Sequence, residues 1–321
     1  MKVSKKAGIA LFVTAAVIMA VLIVFHKNPG PAADPGQELA KKIISCVVIA
    51  AACVAFIHWY DKFTGLPVEL FQNRHLIWKL AKNDFKKRYA GSYLGAVWAM
   101  AQPVVTVAMY YIVFDKIMGN TSTPLREGVE VPFVLFLTAG LVPWFYFSEA
   151  LNNGTNALLE YNYLVKKVVF KISILPIIKI IAATFIHVAA IYGYYPTIYT
   201  IQIVYYSFCL FIFVLALSYT TCAVVVFFRD LSQIISIGLQ IGMWATPILW
   251  NLDALSGKWI MILKLNPLVY IVNGYRSAIY EKEWFFQDFF STMYFWIVTV
   301  VLFGLGAVIF KRLKVHFADV L

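Results

Sequence analysis

The sequence predicts an all-α membrane protein, on three observations. Of its 321 residues 62% are apolar and only 13% charged, against about 45–50% and about 25% in an average soluble domain. Apolar runs near the roughly 20 residues that cross a bilayer recur from Ala7 to the C-terminus. Lipid offers backbone groups no water to bond, so the crossing segments must be helices. A barrel would need short alternating strands, which the pattern lacks.

Eight spans are expected, at 7–25, 43–60, 93–114, 132–150, 172–192, 199–227, 233–250 and 291–310. The first follows Lys2, Lys5 and Lys6 and resembles a signal peptide, but its apolar run to Phe25 is too long for one and no A-x-A site follows. It is read as a helix, with a signal anchor as the alternative. The turn-rich stretch from Pro29 to Gly36 then sets residues 1–60 apart as a transmembrane hairpin. Residues 61–92 are read as a cytoplasmic linker with an amphipathic helix, and 93–321 as the main six-span domain. Within that domain, Trp259–Leu265 and Pro267–Ile279 are each too short to span and are split at Asn266-Pro267, which suits a hairpin dipping partway into the membrane.

Charge orients the spans. With the N-terminus inside, the inner segments hold the basic clusters Lys62, Arg74, Lys79, Lys82, Lys86, Lys87 and Arg88, then Lys166, Lys167 and Lys171, then Lys311, Arg312 and Lys314. The outer segments carry as many acids as bases, so the inner face holds the whole net charge of +11. Both termini are thereby expected in the cytoplasm. Anionic lipid accounts for the basic balance, and no nucleic-acid partner is needed.

The chemistry-bearing residue types argue against an enzyme. Cys46, Cys53, Cys209 and Cys222 all fall in expected spans without C-x-x-C spacing. His26, His58, His75, His187 and His316 lack metal-ligand spacing, so no metal is expected. No G-x-S-x-G or H-E-x-x-H occurs, and no catalytic cluster of polar residues is evident. No G-x-x-x-x-G-K-[ST] occurs either, so no cofactor is expected in this chain and any ATP and Mg would be bound by a partner.

From Arg74 to Ala90 the pattern is amphipathic. Ile77, Trp78, Leu80, Ala81, Phe85 and Tyr89 share one arc and Lys79, Lys82, Asn83 and Lys86 the other, as in a helix lying on the membrane surface. Asp84 and Arg88 intrude on the apolar arc, with i, i+4 spacing that allows them to pair. Glu149 and Lys179, within neighbouring spans, form a candidate intramembrane pair. Snorkelling of Lys179 is the alternative. Gly91/Gly95 and Gly238/Gly242 show the G-x-x-x-G spacing that lets helices approach closely.

Four stretches carry a family resemblance: Arg88-Tyr89-Ala90-Gly91-Ser92-Tyr93-Leu94-Gly95 leading to Trp98 and Pro103; Asn162-Tyr163-Leu164-Val165-Lys166-Lys167 with Phe170 and Leu175-Pro176; Phe228-Arg229-Asp230-Leu231 running to Thr246-Pro247-Ile248-Leu249; and Leu265-Asn266-Pro267-Leu268 followed by Tyr275-Arg276. In order and spacing, residues 70–321 resemble the membrane subunit of polysaccharide-exporting ABC transporters of the ABC-2 type. Phe170-Lys171 stands where that family commonly has Phe-Pro, and the N-terminal hairpin lies outside its six-span core.

The resemblance implies a bacterial inner-membrane permease that forms a homodimer, recruits a separate nucleotide-binding ATPase subunit, and exports a lipid-linked polysaccharide such as an O-antigen. Residues Thr155–Lys167 would form a coupling helix on the ATPase through Glu160, Asn162, Leu164, Lys166 and Lys167. Arg88, Tyr89, Gly91, Ser92 and Gly95 would form a cytoplasmic gate where the Arg88 fork meets the substrate's pyrophosphate. Tyr93, Trp98, Tyr110, Trp244 and Trp250 are channel-lining candidates, since aromatic faces hold sliding sugar rings as they hold bases. Asn266, Pro267 and Arg276 would form a periplasmic re-entrant constriction. The alternatives are an ABC-2 exporter of a small drug or lipid, and a membrane acyl- or glycosyltransferase.

Overall fold

The computed structural model describes residues 5–25, 35–58, 60–119, 122–126, 129–166, 171–191, 197–251 and 258–321. It divides into two compact units, Met1–Glu69 and Leu70–Leu321.

The first unit is an antiparallel pair of apolar helices, α1 (Lys5–Phe25) and α2 (Pro35–His58), leading into α3 (Tyr60–Gln72). Phe12 stacks on Phe56 at 3.9 Å, and Lys5 Nζ lies 2.7 Å from Asp61 Oδ2. Apart from Ile23, α1 buries nothing.

The second unit is a helical bundle. After α4 (Arg74–Arg88) and a turn come α5 (Trp98–Tyr111), α6 (Phe133–Glu160), the short α7 (Asn162–Val165), α8 (Leu175–Ile191), α9 (Gln202–Val225), α10 (Leu231–Ala245), α11 (Lys258–Lys264), α12 (Pro267–Arg276), α13 (Phe289–Leu313) and α14 (Phe317–Val320). Among the described residues, Lys5–Phe25, Phe133–Glu160, Ile198–Val225 and Phe289–Val320 are long and apolar enough to cross a membrane, and Lys42–His58, Ile172–Val188 and Leu231–Ala245 are shorter apolar helices. These helices support a multi-pass membrane protein.

Two elements depart from the expectation. Strands β1 (Ser122–Arg126) and β2 (Val129–Pro132) pair antiparallel between α5 and α6, a two-stranded element among helices in the described residues. Helix α6 runs for 28 residues and takes in Thr155–Glu160, which were expected to belong to a separate coupling helix. Those polar residues are satisfied inside the bundle: the buried Thr155 hydroxyl bonds Thr221 of α9 at 2.8 Å, and Asn156 donates to the Asn152 carbonyl at 3.0 Å. Only Asn162–Val165 remain as a separate turn of helix.

Helices α6 and α9 form the centre, flanked by α8, α12 and α13. Their contact is largely aromatic: Phe147 stacks on Phe213 at 6.0 Å, Phe213 meets Phe295 at 5.8 Å, and Phe295 meets Tyr270 at 5.1 Å. Gly274 lies directly against the Tyr206 ring, where no side chain fits. Helices α5 and α10 are different: α5 buries no residue and α10 only Leu239.

Candidate functional site

Helix α4 divides as its sequence pattern predicts. Ile77 and Ala81 are buried, Trp78 and Phe85 pack edge-on to Phe185 of α8 at 5.4 and 5.5 Å, and Lys79, Lys82, Asn83 and Lys86 are exposed. The two charged intruders on the apolar arc do not pair with each other. Arg88 Nη1 donates to Glu149 Oε1 of α6, while Asp84 Oδ1 accepts from Lys179 Nζ of α8 at 2.9 Å and from the Tyr161 hydroxyl. Lys179 also donates to Glu160 Oε2 at 2.5 Å.

Both expected pairs, Asp84–Arg88 and Glu149–Lys179, are therefore exchanged for pairs across helices. For Asp84 and Lys179 the reason is energetic: an i, i+4 pair contributes about 0.3–0.5 kcal/mol, whereas removing the partner of a buried ion costs about 3–5 kcal/mol. Lys179 is 5% exposed. It does not snorkel, and α4 supplies its counter-charge.

Burial works against the charged form of Arg88, and Glu149 and Tyr89 together more than offset it, so the guanidinium pKa stands above its ordinary value. It is a permanent cation held to an acid on α6.

The segment after α4 folds as successive turns, with Ser92 N–H bonding Tyr89 O at 3.4 Å and Gly95 N–H bonding Ser92 O at 3.3 Å. Gly91 (φ +84°) and Gly95 (φ +53°) are left-handed, and a side chain at either would meet open space. Their spacing therefore reflects backbone conformation, which glycine alone adopts cheaply; it is not a helix-packing motif. Gly238 and Gly242 separate too: a Cβ at Gly242 would lie 3.0 Å from Trp144, while Gly238 faces nothing.

The channel-lining candidates gather on α5, α10 and their ends. Tyr93 is fully exposed, and Trp98 and Trp244 are more than half exposed. The Tyr110 hydroxyl lies 4.0 Å from Met243 Sδ, joining α5 to α10, and the Trp250 indole donates to the Trp244 carbonyl at 3.1 Å.

Of the coupling candidates, Asn162, Leu164 and Lys166 sit on or beside α7, and the Glu160 carboxylate is held by Lys179. Lys167 and Phe170 lie outside the described residues. The broken region has its turn at Asn266, whose side chain caps α12 by accepting from Leu268 N–H at 3.1 Å and donates to Thr246 Oγ1 at 3.0 Å. Pro267 occupies the first turn, where its missing N–H costs nothing. Arg276 is buried, with Nη2 donating to Ile248 O at 3.0 Å and its guanidinium 3.7 Å from the Phe136 ring centroid. It braces α12 against α6 and the chain leaving α10.

Several features escape sequence reasoning. A cavity of about 410 Å³ lies between α5, α6 and α8, lined by Pro103, Val107, Tyr111, Tyr146, Glu149 and His187 among others. His187 Nε2 lies 2.7 Å from the Tyr275 hydroxyl and 3.2 Å from Ser207 Oγ. Tyr161 carried no signal beyond standing next to the basic segment. Asp84 did carry one, as a lone acid on a basic helix. Among the described residues, no three His, Cys, Asp or Glu side chains gather to hold a metal.

Comparison with known proteins accounts for this arrangement. Residues 75–280 match the family model described as ABC-2 type transporter. The O-antigen export system permease protein RfbA of Myxococcus xanthus is 30% identical over 263 residues, 78% of this chain and 97% of the relative. Its namesake from Klebsiella pneumoniae is 27% identical over 255 residues, covering 75% and 93%. The polysialic acid transport protein KpsM of Escherichia coli is 22% identical over 242 residues, covering 71% and 89%. With more than half its length inside the family match, the chain belongs to the ABC-2 type transporter family, as a transporter's membrane subunit and not an enzyme.

Proposed function

We propose that the chain is the transmembrane subunit of an exporter that carries a lipid-linked, O-antigen-like polysaccharide across the bacterial inner membrane. Two copies enclose the path, and a separate subunit binds and hydrolyses ATP. The observation that carries this reading is the uncovered face of α5 and α10. Trp98, Val105, Met109, Ile237, Ile241 and Trp244 are all more than half exposed on helices that bury almost nothing, whereas α6 and α9 bury residues along their whole length. A second copy completes such a half-wall, and aromatic rings on it give a repeating glycan stacking surfaces that do not depend on which sugar is passing. The names of the relatives, which specify O-antigen export and polysialic acid transport, support the substrate class.

The Arg88–Gly95 turn, at the end of the basic helix α4, is the entry gate. There an anionic pyrophosphate competes with Glu149 for the Arg88 fork, so substrate arrival and loosening of α4 from α6 are linked. The turn around α7, with Asn162, Leu164, Lys166 and Lys167, meets the ATPase. Asn266, Pro267 and Arg276 shape the re-entrant segment on the opposite side, and both termini lie in the cytoplasm. Depleting the chain in its native host tests the proposal: lipid-linked glycan should accumulate inside the cell and disappear from the surface. Unchanged surface glycan would overturn it.

A further inference from the structure

Asp84 stands where three elements meet. It lies one turn before the end of α4. One of its oxygens receives both the hydroxyl of Tyr161, the residue joining α6 to α7, and the ammonium of Lys179 on α8. The same ammonium bonds Glu160, the last residue of α6, and sits 4.9 Å from the Tyr161 ring centroid. One cation thus gathers the α4 carboxylate, the α6 terminus and the linking tyrosine. The Lys179 and Asp84 side chains are 7% and 10% exposed, so little water is at hand to replace their mutual bond when it opens, while Glu160 reaches solvent at 49% exposed.

We infer that this cluster is the mechanical link through which a displacement of α7 moves α4, with Asp84 and Tyr161 as its positioning residues. The inference rests on the reading that α7 meets the partner ATPase. Helix α7 is four residues long and buries only Val165, so a push on it is delivered to its neighbours Tyr161 and Glu160. Helix α6 cannot yield, because it is buried from Phe133 to Leu158 against α8, α9 and α12. The compliant partner is α4, which is exposed along its lysine face and continues through the left-handed glycines Gly91 and Gly95 into α5, which buries nothing. Force entering at α7 therefore leaves through Asp84 towards the gate turn. The second Asp84 oxygen, Oδ2, is buried without a partner. It gives the carboxylate a free acceptor with which to exchange donors between two arrangements, as a coupling element requires.

The test uses Tyr161→Phe and Asp84→Asn in the full chain assembled with its ATPase. Two quantities are read: ATP hydrolysis by the purified complex, and the host's own lipid-linked glycan reaching the cell surface. Tyr161→Phe keeps the ring and its contact with Lys179 and removes only the hydroxyl; should Asp84→Asn fail to assemble, it decides alone. The link predicts hydrolysis within about twofold of wild type and export lowered about tenfold, the range of ordinary coupling free energies. A purely structural role would lower both in step with the amount of assembled complex. That result, or no change in either, overturns the link. Unchanged surface glycan on depletion of the wild-type chain would instead overturn the exporter reading, independently of the variants.

Discussion

Helices α9 and α10 are both apolar, yet they live in opposite surroundings. Helix α9 buries residues along its whole length, from Gln202 to Val225, against α6 and α13; α10 buries Leu239 alone. Hydropathy does not distinguish them, because lipid and protein interior are alike to a leucine. What separates them is the small and polar residues that demand a protein neighbour. Gly274 against Tyr206, Thr155 against Thr221 and the Tyr219 hydroxyl on the Ser173 carbonyl at 2.8 Å all belong to the closed part. Helix α10 makes few such demands within the chain: Ser236 bonds Asn152 at 3.3 Å, and Gly242 faces Trp144. If two copies enclose the path, as proposed, the bare faces of α5 and α10 are where the second copy lies.

Substitutions should therefore act very unequally on the two sides. The largest loss is expected at Lys179. Lys179→Ala leaves the Asp84 carboxylate without a counter-charge in a dry site, and thermal unfolding in detergent should report about 3–5 kcal/mol of destabilisation. Lys179→Arg, which keeps the charge, should recover part of it. A cost under about 0.5 kcal/mol for the alanine variant would mean that water reaches the cluster and that this side is not closed. Next comes Gly274→Val, which drives methyl groups into the Tyr206 ring. Overpacking of this kind costs about 1–3 kcal/mol, and the same unfolding measurement reads it.

The sequence pattern revealed as much of this as local chemistry can. A span is a continuous greasy run, and that property belongs to the segment alone, so the four helices long and apolar enough to cross a membrane were legible. The two-sided character of α4 was legible for the same reason, since 3.6-residue periodicity fixes which side chains share a face. Partners were not legible. Asp84 and Arg88 have good local spacing for each other, but α4 sits on α8 and α6, and the deeper charges Lys179 and Glu149 have more to lose by staying unpaired. The end of α6 was misread because Thr155 and Asn156 look like a loop when their partners on α9 and on their own helix are unseen. Gly91 and Gly95 were read by spacing, although their reason for being glycine is a positive φ, which leaves no periodic trace.

Arg88 lies on the boundary between the two sides, its pair with Glu149 about 28% and 29% exposed. Arg88→Ala should cost about 1 kcal/mol or less in stability, as solvent-accessible ion pairs do, and leave assembly with the ATPase intact while lowering export. Arg88→Lys separates charge from geometry: if the two-pronged fork is what meets the substrate, lysine should rescue stability better than export. Normal export by well-expressed Arg88→Ala protein would remove Arg88 from the gate.

The smallest effect on the single chain, and the sharpest test of the bare side, belongs to Gly238. A Cβ there meets no atom within 4 Å, whereas one turn later a Cβ at Gly242 would press on Trp144 at 3.0 Å. Gly238→Val should change the unfolding of the isolated chain by no more than about 0.5 kcal/mol, and Gly242→Val by more. Mass measurement in detergent then asks a different question of the same two variants. If a second copy lies on α10, the valine at position 238 stands between two close-packed helices. The two-copy species should then weaken although the chain itself is untouched, because small residues are what allow helix backbones to approach in lipid. If the two-copy fraction is unchanged, the Gly238 face looks onto lipid or onto the transport path, and the contact between copies must be sought along α5, where Val104, Val105 and Met109 are equally uncovered.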